Sequence, residues 1–200
     1  MQKPLALRAA ALAGAALLAS CASTNRSADV TRFHLGQPVA RSSVYVAPLN
    51  AADASSLEFR TYAAAVTDEL RQAGFTPAPA LAQAEIVATV DVGQTTRESL
   101  SRGSGLSIGI GGGTFGRNVG IGGSVNIPVG ERRPNQIAVT TLGVQLKRRS
   151  DNSVVWEGRA LTEGQLGSNA GAPGTVVPAL ADALFREFPG PSGRTVRVRL

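Results

Sequence analysis

Residues 136–149 and 154–163 constrain what this chain can fold into more than any other feature of its sequence. Each is a long run of strand-favouring residues, and Ser150, Asp151, Asn152 and Ser153 between them supply strong turn chemistry. The spacing predicts an antiparallel hairpin, so the fold must contain a sheet that accepts it. Upstream, residues 31–35 and 43–48 are shorter strand candidates, and in the second Val44 and Val46 alternate with Tyr45. A helix is expected next. Ser55 stands three residues before Glu58, a capping-box spacing, and Phe59, Tyr62, Ala63, Val66, Leu70 and Ala73 recur at helical intervals until Gly74 stops them.

Residues 85–94 read as a further strand, with Ile86, Ala88, Val90 and Val92 on one face. A second helix is expected from near Val176, with Thr175 as its cap and Pro178 in its first turn. It presents Val177, Leu180, Ala181, Leu184, Phe185 and Phe188, and Pro189 and Pro191 end it. The tail at 195–200 alternates, which is compatible with an edge strand guarded by arginines or with a frayed end. This order does not alternate as a doubly wound fold would. The expected class is α+β: one mixed or mostly antiparallel sheet with two helices packed on one face and a Gly-rich β-hairpin.

With 200 residues, 43% of them hydrophobic and 17% charged, the chain has enough material for one domain, expected over 30–190. Aromatics are sparse, so the core should be built from Val, Ile, Leu and Ala. The formal charge is +6. The arginines are scattered, however, and the densest groups (Lys147 to Arg149, Arg132 with Arg133, and Arg194, Arg197 and Arg199) are not interleaved with aromatics. No nucleic-acid partner is expected from that pattern.

The N terminus bears on the compartment. Lys3 and Arg8 precede an apolar stretch at 9–19, the layout of a secretory signal over residues 1–20 and too short for a bilayer span. Leu18, Ala19, Ser20 and Cys21 then resemble a bacterial lipobox. That resemblance implies cleavage between Ser20 and Cys21 and lipid attachment at Cys21, and multiple acyl chains would make the tether lasting. Ala22 follows where an aspartate would favour inner-membrane retention, so the expectation is an outer-membrane anchor with the domain facing the periplasm. Residues 21–29 read as the tether and 191–200 as a basic tail or edge strand. Cys21 is the only cysteine, so no disulfide supports the fold.

Taken together, the lipobox, VYVAPLN, SLEFRTYAAAVTDELRQAGF, AEIVATVDV and DNSVVWEGRA resemble the bacterial lipoproteins of the domain of unknown function 4136 family. The likeness covers most of residues 30–188. It implies an envelope lipoprotein with no assigned chemistry and, apart from Cys21, no functional residues to carry over.

No catalytic, metal or cofactor site is expected. Gly111, Gly113 and Gly116 have a G-x-G-x-x-G spacing, but the residues that follow carry more glycines and a proline and cannot form the helix that a dinucleotide site requires. His34 is the only histidine, which precludes a His/Cys zinc set within one chain, and no G-x-S-x-G elbow presents a serine. Asp91 with Glu98, and Glu157 with Arg159 and Glu163, read as exposed strand charges, although paired carboxylates leave a cell-wall or sugar-acting enzyme as an alternative. Trp156 is expected to pack on the core or its rim.

The segment 105–128, GLSIGIGGGTFGRNVGIGGSVNIP, keeps period two in both halves. Leu106, Ile108 and Ile110, then Val119, Ile121, Val125 and Ile127, alternate with Gly, Ser and Asn around a reversal near Phe115. It is expected to be an inserted hairpin with one aliphatic face and one nearly bare face. Two functions suit it. In the first, the protein is a non-enzymatic partner-binding or scaffolding lipoprotein whose partner is an unidentified envelope protein. In the second, each strand of about 30 Å, at ~3.4 Å per residue, matches a hydrocarbon core, and a homo-oligomer of such chains builds a pore or secretion channel from donated hairpins.

Overall fold

The computed structural model of the chain describes residues 26–99 and 135–200. Its elements, in chain order, are β1 (Ser27–Phe33), β2 (Ser43–Pro48), α1 (Leu57–Gln72), β3 (Thr76–Pro77), β4 (Ile86–Ser99), β5 (Asn135–Arg148), β6 (Val154–Gln165), α2 (Pro173–Phe185) and β7 (Thr195–Arg199). The strands form one open sheet in the order β3-β2-β4-β5-β6-β1-β7. Among the described residues β2 pairs in parallel with β3, across the α1 crossover, and with β4, and the other pairs are antiparallel. The class is the expected α+β one, with two helices on a mixed sheet.

Alternation explains the single covered face. Ala138, Thr140, Leu142, Val144 and Leu146 of β5 are buried, as are Ile86, Ala88 and Val90 of β4 and Trp156 and Ala160 of β6. All of these except Ala138 and Thr140 meet Tyr62, Val66 and Leu70 of α1 and Val176, Val177, Leu180, Ala181 and Leu184 of α2 in one core. The intervening strand residues lie on the opposite face, which neither α1 nor α2 covers.

The 150–153 turn forms as its residues demand. Asp151 Oδ1 accepts from the Ser153 amide at 3.0 Å and Asn152 adopts φ 58°. Just past the end of helix α1, Gly74 takes a φ of +96°, the left-handed stop expected of glycine, and Phe75 is buried behind it.

Four local expectations differ from the structure. Ser56, not Ser55, caps α1, its Oγ accepting from the Phe59 amide at 3.1 Å. Strand β1 begins at Ser27, within the stretch read as tether, because β7 pairs with it from Ser27 onward and β6 joins on its other side from Asp29. Helix α2 begins at Pro173 after Ala172, so Pro178 lies inside the helix rather than in its first turn. Finally, α2 stops at Phe185, ahead of the prolines, where Glu187 takes a φ of 61°. The alternating tail forms the edge strand β7.

Candidate functional site

Strand direction brings several chain segments to one end of the sheet. β4 runs towards that end and β5 returns from it, paired without a break from Ile86↔Arg148 to Ser99↔Asn135. β6 ends there at Gln165, β7 ends there, and β1 starts there, with Thr162 Oγ1 donating to Ser27 O at 2.7 Å. The two connections that matter most in the sequence, residues up to 25 and residues 100–134, therefore leave the fold at the same pole. Cys21, Ser20, and the hairpin residues Leu106, Ile108, Ile110, Phe115, Val119, Ile121, Val125 and Ile127 lie outside the described residues.

Two charge pairs at this pole run across strands. Arg197 Nε donates to Asp29 Oδ1 at 2.9 Å, and that hydrogen bond holds the Asp29 carboxyl below its usual range. Arg97 pairs with Glu163 between β4 and β6. Arg26, Asp29 and Arg197 border a groove of about 330 Å³.

The uncovered face of the sheet is polar. Asp91, Gly143 and Arg159 stand in register across β4, β5 and β6, and Thr89, Gln145 and Glu157 form the next row. Because Gly143 has no side chain, these rows enclose a cleft of about 100 Å³ that Leu49 borders. The Thr89 hydroxyl is buried there with no partner among the described residues. Asp91 and Glu98 lie seven residues apart along β4, about 24 Å between their backbone positions at ~3.4 Å per residue.

A second crevice, of about 160 Å³, opens where the parallel strands β2 and β4 meet the N terminus of α1. Asp53, Glu58, Phe59, Tyr62 and Asp91 line it. Tyr62 donates to Glu58 Oε1 at 2.6 Å. Burial, and secondarily that carboxylate, push the phenol well above its ordinary pKa, which keeps it a hydrogen-bond donor. The sequence reading missed this crevice, whose signal was the parallel crossover between two short apolar strands.

Residues that could have carried chemistry are engaged structurally. His34 follows β1 rather than lying in it; its Nδ1 accepts from the Gly36 amide at 3.1 Å and its Nε2 faces Gly190 O at 2.9 Å. Those partners match a ring that accepts at Nδ1 and donates at Nε2. Trp156 is fully buried, stacks on Phe185 at 5.4 Å and donates to Pro189 O at 3.1 Å. Arg32, only 3% exposed, donates to the carbonyls of Leu184 (2.9 Å), Ala183 (2.9 Å) and Arg186 (3.0 Å) at the end of α2. Burial lowers its pKa, and the charge of Glu187 opposes that shift. Arg32 was also missed, although an arginine in step with Val30 on an alternating strand is a visible sign of an inward charge.

Three comparisons with known proteins bear on the chain. The family described as Domain of unknown function (DUF4136) matches residues 36–190. An uncharacterized protein of Zymomonas mobilis subsp. mobilis is 31% identical over 211 aligned positions, covering 86% of this chain and 80% of that protein. Among solved structures, a PelC dodecamer from Paraburkholderia phytofirmans is 16% identical, with 77% of this chain and 91% of that chain covered and a TM-score of 0.41. A PDZ domain protein from Parabacteroides distasonis is 12% identical, with 93% of this chain but 42% of that chain covered and a TM-score of 0.47.

Proposed function

The chain belongs to the DUF4136 family, and from that premise we propose that it is an outer-membrane-anchored periplasmic lipoprotein that binds a partner rather than catalysing a reaction. The observation that carries this reading is the start of β1 at Ser27, close behind Cys21 and at the pole where β4 and β5 meet residues 100–134. From Cys21 to Arg26 an extended chain spans at most about 18 Å. An acylated Cys21 would therefore hold this pole against the bilayer and leave the uncovered sheet face and both sheet edges turned sideways, within reach of another envelope protein. The engagement of His34, Trp156, Arg32 and Tyr62 in backbone or side-chain hydrogen bonds supports binding over chemistry. Labelling cells with radioactive palmitate and fractionating the envelope tests the anchor: label in the outer-membrane fraction is expected, and a soluble unlabelled protein defeats the reading. Crosslinking in cells should then recover one specific envelope partner.

The unbroken β4–β5 ladder favours one second reading, in which several copies donate residues 105–128 to a pore. Replacing those residues by a short turn should then abolish both ring-sized oligomers and liposome leakage. A monomer inert towards liposomes excludes this reading.

A further inference from the structure

Among the described strands β7 is the outermost of the sheet, and its register determines which backbone groups it leaves open. The Leu200 amide donates to Arg26 O at 2.9 Å, and the pairs Val198↔Ala28 and Val196↔Val30 are in step with that bond. In an antiparallel pair, alternate residues exchange hydrogen bonds while those between them point away. Thr195, Arg197 and Arg199 thus turn their backbone groups to the free side. Arg199 O confirms this direction by accepting from Arg186 Nη1 at 3.0 Å. The outward amides and carbonyls of Thr195 and Arg197 meet no partner among the described residues.

The side chains of this edge carry a second pattern. Arg197 sits on the uncovered face, where it reaches Asp29, and Arg199 follows it at period two. Val198 and Leu200 alternate with them and lean on the core. Arg194 and Arg199 are exposed and have no acidic partner among the described residues, so the edge carries unbalanced positive charge. Two copies of β7 paired about a two-fold axis would bring these arginines together, and like charges across a strand pair are destabilising. A strand with carboxylates opposite Arg197 and Arg199 and apolar residues opposite Val196 and Val198 would match both backbone and side chains.

We propose that the free edge of β7 is the docking site for an extended segment of a partner protein that alternates acidic and apolar residues and adds to the sheet as an eighth strand. The inference takes the partner-binding reading further, and its test does not depend on the lipid anchor. The mature protein, purified in detergent, is titrated with a capped seven-residue peptide alternating glutamate and valine, and with its lysine counterpart. The glutamate peptide is expected to slow hydrogen exchange of the Thr195, Arg197 and Arg199 amides and to bind about tenfold more tightly, from about threefold at each of two charge pairs. A glutamate peptide with a central proline should lose that binding, because proline removes a ladder donor. Arg197→Glu combined with Arg199→Glu should reverse the preference towards lysine. Unchanged exchange at these amides, equal binding of the two charge types, or full binding of the proline peptide would each overturn the proposal, and all three are read on the unmutated protein.

Discussion

Replacing Arg32 by methionine keeps most of the buried stem and deletes the guanidinium that closes the end of α2. Two of the three carbonyls it serves, those of Ala183 and Leu184, belong to fully buried residues. Stranding a buried carbonyl costs about 1–3 kcal/mol, so the pair accounts for about 2–6 kcal/mol. Arg186 is exposed, so water can replace the third bond at little cost. Relief of the guanidinium's own desolvation offsets part of the loss and leaves a net destabilisation of about 3 kcal/mol. For a domain of this size that lowers Tm by about 6–12 °C. Trp156 is the only tryptophan and stacks on Phe185, the last residue of α2, so its fluorescence reports unfolding of the affected region directly. Arg32→Lys, which lacks the planar fork, should fall between methionine and wild type. A methionine variant within about 1 kcal/mol of wild type in urea titration would show that the carbonyls at the end of α2 do not depend on this side chain.

Gly164→Ala should destabilise by about 2–3 kcal/mol, because a Cβ there would lie 1.9 Å from the Ala170 carbonyl oxygen, whereas Gly143→Ala, whose nearest neighbour would be 3.8 Å away, should stay within about 0.5 kcal/mol; equal denaturation midpoints for the two would contradict the geometry. Hydrogen bonds from Ser153 and Arg148 lower the Asp151 pKa to about 2, so its contribution to the turn is complete above the ordinary aspartate value of 3.8 and is lost as the pH falls through about 2. A carboxyl NMR titration of Asp151 with its midpoint at 3.8 instead would refute the turn bonding. Cys21→Ser should abolish acyl labelling and release the protein from the membrane fraction, and retention of label would place the acyl chain elsewhere.

The parts of the fold legible in the residues were those governed by local periodicity. The β5–β6 hairpin, the apolar stripe of α1, the Gly74 stop and the alternating tail all follow from spacing within a few residues of one another. The boundaries that shifted were set by partners distant in sequence. Ser27 to Asp29 become strand because β7 pairs with all three and β6 adds Leu161 opposite Asp29, and α2 ends at Phe185, where Arg32, from the first strand, meets the carbonyls of Ala183 and Leu184. The candidate site divides in the same way. The lipobox-like stretch ending at Cys21 and the glycine periodicity of 105–128 are sequence properties, readable without a fold.

Tertiary structure alone decided that the start of β1 and the ends of β4 and β5 that flank residues 100–134 share one pole, since strand direction depends on which strands pair. It also decided which side of β7 stays open. The alternation of arginine and valine is local, but the set of backbone groups left unbonded depends on the register against β1, and a one-residue slip would exchange every open group for a bonded one.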